Sequence, residues 1–111
     1  MKNDRLYLVH ILECVENIRS YTCDGRNAFL TDPKTRDAVL RNLHTLAEST
    51  QRLSKELQAK YPQVPWKNIF AFRNVVVHDY LGIDVNLIWD IVEKDLPDLK
   101  PLIEKILREL E

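Results

Sequence analysis

Val39, Leu43, Leu46, Thr50, Leu53 and Leu57 step along the chain by four and three residues in alternation. A helix brings positions at that interval onto one side, so the run predicts a long helix whose seam packs against neighbours. Thr50 is the soft position in the seam. The expected element starts at Thr31-Asp32-Pro33, where a cap candidate precedes a proline suited to a first helical turn. It continues to about Tyr61. Its opposite face carries Arg41, His44, Glu48, Gln51 and Lys55, a solvated surface. Glu48 also suits a second role, a buried carboxylate beside a functional arginine.

The remaining segments read as helices too. Asn3 or Asp4 caps a first helix to about Tyr21, with Leu8, Ile11, Val15 and Ile18 at helical spacing and Tyr7, Cys14 and Tyr21 widening the stripe. Cys23 to Asn27 breaks the pattern and reads as a loop. Pro62 and Pro65 bracket a turn before a third helix from Trp66 to about Val77. There Ile69, Phe72 and Val76 share one face, with Phe70 and Val77 beside it. Gly82 ends that segment, and Asp84 caps a fourth helix carrying Val85, Ile88, Trp89 and Val92. Pro97 is expected to stop it. A last helix follows from about Asp98, with Leu99, Leu102, Ile103, Ile106 and Leu110 inward and Lys100, Lys105 and Arg108 outward. Two glycines in 111 residues leave little room for the tight turns of an all-β fold. The expectation is a single domain over residues 1–111: an all-α, up-and-down bundle of four to five helices.

Hydrophobic residues at 45% and charged residues at 30% describe a folded, soluble chain. The net charge of 16 − 17 = −1 announces no bulk attraction to nucleic acid. A local patch suffices to hold a phosphate, however, and Lys67 and Arg73 against Asp79 leave the Trp66–Tyr80 stretch at +1. Cys14 and Cys23, if on one helix, stand roughly 13 Å apart, too far for a disulfide. With no metal-ligand spacing, they read as reduced thiols of a cytoplasmic protein. Charges within the first five residues, and no long apolar run after them, argue against a signal peptide or a membrane span.

Residues 73–80, Arg-Asn-Val-Val-Val-His-Asp-Tyr, concentrate chemistry. An arginine stays charged and forks its donors onto phosphate oxygens. A histidine passes protons near neutrality. The three consecutive valines, stiff at the first side-chain torsion, fit a tightly packed segment that holds Arg73 and His78 rigidly. On one continuous helix, five residues turn the side chain so that Arg73 and His78 point about 140° apart, whereas Asn74 and His78 share a face. Either the helix ends near Val77 and lets His78 turn back, or two copies of the segment meet across a twofold axis. Taken singly, each residue also fits an ordinary role. Arg73 can form a surface ion pair, His78 can satisfy a helix C-terminus, and Tyr80 can pack in the core.

The complete pattern of Arg73, Asn74, His78 and Tyr80 resembles the signature of the HEPN ribonucleases, specifically the HepT toxins, in which a tyrosine follows the histidine. The resemblance extends over the whole chain, including the Asn42-Leu43 helix and the Ile83-Asp84 to Pro97 segment. It implies a homodimer whose two motifs line one cleft, and a metal-independent endoribonuclease toxin with no cofactor. In such an enzyme the residues at Arg73 and His78 are catalytic and the one at Asn74 is auxiliary. It also implies a partner, a minimal nucleotidyltransferase antitoxin that uses ATP and Mg²⁺ to add AMP to the tyrosine at Tyr80. RNA is the implied substrate; neither DNA nor a membrane is. The alternative is a non-catalytic helical dimer that binds and regulates a nucleotidyltransferase.

Overall fold

The computed structural model describes residues 3–77 and 84–110, the side chains of 75–77 excepted. Every extended element among them is helical. The first helix, α1 (Asp4–Tyr21), buries Leu8, Ile11, Val15 and Ile18 as its spacing requires, with Cys14 beside them. Tyr21 departs from expectation and is exposed. It lies about 100° around the helix from the mean direction of the four aliphatic residues, outside the stripe they define. Asn3 occupies the cap position without a side-chain bond. The Asp4 carboxylate reaches across the fold instead, accepting from Ser54 N at 2.8 Å and from Ser54 Oγ at 2.7 Å.

Within the segment expected to loop, Gly25 adopts φ +94°, a conformation that favours glycine, and opens a short helix, α2 (Arg26–Thr31). Its Phe29 is buried and meets the Trp89 ring at 5.4 Å in a tilted pair. Asp32 then caps α3 (Pro33–Gln51), accepting from Lys34 N and the Thr35 hydroxyl. Those bonds, the hydroxyl's first, hold its carboxyl below the usual range.

The expected single helix to Tyr61 is two. The chain breaks at Arg52–Ser54 and restarts as α4 (Lys55–Lys60), because Ser54 Oγ caps the new turn by accepting from Leu57 N. The Asp4 carboxylate fixes that serine, and Gln58 Nε2 donates to the Leu53 carbonyl. Leu53 and Leu57 stay buried across the break, so the seam is real although the rod is not continuous. Thr50 is tolerated in the core because its hydroxyl donates to the Leu46 carbonyl at 2.8 Å.

Next comes α5 (Trp66–Val77), which packs Ile69 and Phe72 inward. The chain before it is pinned twice. Trp66 Nε1 donates to the Gln58 and Tyr61 carbonyls, and Tyr61 Oη donates to Glu109 at 2.6 Å. Asp84 caps α6 (Val85–Asp90) as expected, accepting from Asn86 N and Leu87 N. The expected stop at Pro97 does not occur. A π-helical turn over Ile91–Asp95 leads directly into α7 (Leu96–Leu110), with Pro97 in its first turn and Pro101 inside it. A proline interrupts a helix by lacking an N–H and by crowding the carbonyl four residues back. The wider π turn, where Leu96 N–H donates to the Ile91 carbonyl, relieves that crowding at Pro97. On α7, Leu99, Ile103 and Ile106 are buried and Leu102 half-buried, whereas Leu110, expected inward, is exposed at the helix end. Lys100, expected outward, folds onto Glu16 of α1 at 2.8 Å.

α3 is the central rod, with α1 and α5 packed against it, α7 against α1, and α2 between α3 and α6. This is the expected all-α bundle, elaborated by short helices. The most deeply placed side chains, Leu8, Ile11, Ile18, Leu43 and Leu46, are fully buried, and each contributes roughly 1.5–3 kcal/mol over exposure. No described helix is long and apolar enough to cross a membrane. Cys14 is buried and Cys23 exposed, and both are free.

Candidate active site

α5 positions the chemistry. Phe72 and Ile69 lock one side of the helix into the core, which turns Arg73 and Asn74 outward. Both are exposed, and Arg73 forms no ion pair among the described residues. A guanidinium free of a carboxylate keeps its full fork of donors for an incoming anion. The helix carries Lys67 and Arg73 and no acidic residue, so its outer surface is locally positive on a chain of net charge −1. Glu48, the carboxylate weighed as a neighbour of Arg73, is half-buried on α3 and not ion-paired with it. His44 is half-buried on the same helix.

His78 and Tyr80 lie outside the described residues, as does the side chain of Val76. The structure thus brings Arg73 and Asn74 together at adjacent exposed positions, and the relation of either to His78 rests on the sequence.

The two flanks of α5 differ in charge. On one, a cleft of about 100 Å³ against α7 is lined by Asn68, Ile69, Phe72, Asp95 and Asp98. Burial, then Asp98 and Asp90, pushes the Asp95 carboxyl above its usual range. Crowded carboxylates make that cleft hostile to phosphate. On the other flank, Lys55, Trp66, Lys67 and Phe70 border an open groove of about 540 Å³. Sequence reasoning took Phe70 for the edge of the apolar face, whereas it is half-exposed on this outer flank. The signal was present in the four-residue step from Trp66 to Phe70 to Asn74, with a lysine beside the first. Among the described residues, no three His, Cys, Asp or Glu side chains gather as a metal ion would need.

The fold is a helical bundle of the HEPN kind. The chain belongs to the Ribonuclease HepT-like family, which matches it over residues 11–106. A Methanocaldococcus jannaschii protein named "Putative RNase MJ0127" is 39% identical over 111 residues, covering 99% of this chain and 92% of that protein. "Probable ribonuclease HepT" of Thermococcus cleftensis is 34% identical over 101 residues, covering 90% of this chain and 92% of that protein. "Gamma-glutamylcyclotransferase and putative RNase MJ0434", also from M. jannaschii, is 39% identical over 111 residues, and the chain spans 50% of its length. No solved structure matches the chain.

Proposed function

We propose that the protein is a HepT-type toxin, an endoribonuclease that cleaves RNA without a metal ion. The ribose 2′-hydroxyl attacks the adjacent phosphorus, the bond to the 5′-oxygen of the next nucleotide breaks, and a 2′,3′-cyclic phosphate and a 5′-hydroxyl remain. His78 moves protons at the attacking and leaving oxygens. Arg73 holds the charge that grows on the phosphorane, and Asn74 orients the phosphate or the imidazole. The observation that carries this reading is Arg73, exposed on α5 and without an ion pair among the described residues, inside a complete Arg73–Asn74–His78–Tyr80 pattern in a HepT-like chain.

The active form is a homodimer in which two α5 segments face one cleft. Were the helix to continue through His78, that residue and Arg73 would point about 140° apart, which favours that assembly. The partner is a minimal nucleotidyltransferase antitoxin that transfers AMP from ATP to Tyr80. The added bulk and negative charge, two residues from His78, exclude an RNA phosphate.

His78→Ala and Arg73→Ala test the assignment. Each should lower RNA turnover by about a hundredfold or more while the circular dichroism of a helical bundle is retained. Undiminished cleavage by the His78 variant contradicts it. A non-catalytic regulator of a nucleotidyltransferase predicts no turnover in the unaltered protein.

A further inference from the structure

α5 presents a second surface beside the arginine. Trp66, Phe70 and Asn74 follow one another at four-residue intervals, and Arg73 lies three after Phe70, so these side chains share one side of the helix. The groove of about 540 Å³ between α4 and α5 is lined on this side by Lys55, Gln58, Trp66, Lys67, Asn68 and Phe70, the rest of its lining being apolar and none of it acidic. The indole N–H is committed to the Gln58 carbonyl at 3.1 Å and the Tyr61 carbonyl at 3.0 Å, so the Trp66 ring is a fixed wall with no donor left to offer. Half-buried Phe70 has only its ring to offer.

Fixed aromatic faces flanked by cations are what an unpaired nucleic-acid strand needs: rings for bases to stack on, ammonium groups for the backbone. A protein partner is the poorer match, because lysine is depleted at protein interfaces. Along the helix axis, Phe70 and Trp66 stand about 6 Å and 12 Å from Asn74, about two and about three and a half nucleotide steps of a stacked strand at roughly 3.4 Å each.

We infer that this groove is an RNA subsite, which stacks an unpaired base about two nucleotides from the cleaved phosphate on Phe70, against the Trp66 wall, and holds the neighbouring phosphates on Lys55 and Lys67. The inference rests on the ribonuclease reading above and adds to it a preference for single-stranded RNA over short fragments. Because every base has a stacking face, the subsite confers strand selectivity and tolerates any base.

The test compares an unstructured 12-nucleotide RNA with a dinucleoside monophosphate too short to reach the groove, using the full chain. Phe70→Ala should raise KM for the longer RNA by about tenfold, within the range expected for losing one stacked base, and leave dinucleotide turnover unchanged. The Lys55→Ala/Lys67→Ala double variant should flatten the dependence of log affinity on log salt by about 1.4, or 0.7 for each lost single-strand phosphate contact. Variants that cut the 12-mer with unaltered KM and salt slope overturn the subsite while the ribonuclease reading stands. A change in oligomeric mass for Phe70→Ala, read by light scattering, overturns it in favour of an interface between copies of the chain. Unaltered protein that cuts neither substrate overturns the ribonuclease reading and this inference together.

Discussion

Cys14 and Cys23 show how one residue type takes two characters from its surroundings. Burial, with Glu13 adding to it, pushes the Cys14 thiol up to about 11, whereas Cys23 stands exposed beyond the end of α1. The thiolate is the reactive form, so at pH 8 iodoacetamide should label Cys23 readily and Cys14 only after unfolding, as peptide mass spectrometry would report. The same shift ties stability to pH. The unfolded thiol releases its proton from about 9 and the folded one at about 11, so the stabilisation is complete below pH 9 and is lost as pH rises through 11. Tyr61 is raised too, chiefly by its bond to Glu109, and acts in the same direction. Urea midpoints should therefore fall across that window, less steeply in Cys14→Ala. Equal labelling of both thiols in the folded protein contradicts the burial on which this rests.

Between elements, the link from Asp4 through Ser54 to Leu57 N joins the start of α1 to the start of α4. Removing the hydroxyl breaks a charge-assisted bond and a helix cap together. Ser54→Ala should cost about 1–3 kcal/mol in urea denaturation, and Asp4→Ala a similar amount. Because the two act in one network, the double variant should lose less than the sum; full additivity would show that they act separately. This link also marks where sequence reasoning stopped. Every residue of the four–three seam from Val39 to Leu57 is buried, but the spacing passed over buried Leu40, Ala47 and Ser49 and carried the helix straight through Ser54. The carboxylate that enforces the break comes from a residue fifty positions away. α2 was missed because six residues scarcely display a helical period, and its one buried residue, Phe29, meets Trp89 from a helix sixty positions away. Pro97 misled for the opposite reason: a strong local stop signal was absorbed by a π turn that composition does not reveal. Of the candidate site, the motif singled out Arg73 and Asn74, and both are exposed on α5. The groove beside them was not, since an aromatic pair four residues apart reads equally as the flank of a core face.

At the scale of the whole molecule, the proposed activity and its control require two copies and a partner. Light scattering at micromolar concentration should give twice the chain mass; a fully active monomer contradicts the shared cleft. Co-expression with a minimal nucleotidyltransferase should add one or more AMP units to the peptide containing Tyr80. Tyr21, which is exposed, serves as a control. Tyr80→Phe should stay toxic while escaping neutralisation, and AMP on Tyr21 instead would move the control point elsewhere. The central claim is strand cleavage by the RNA's own 2′-hydroxyl, with protein groups alone supplying the catalysis. End-group analysis by mass spectrometry, on RNA cut by the purified protein in excess EDTA, addresses it most directly. Fragments ending in 2′,3′-cyclic phosphate and 5′-hydroxyl are predicted. Fragments ending in 3′-hydroxyl and 5′-phosphate, or cleavage that EDTA abolishes, would contradict it.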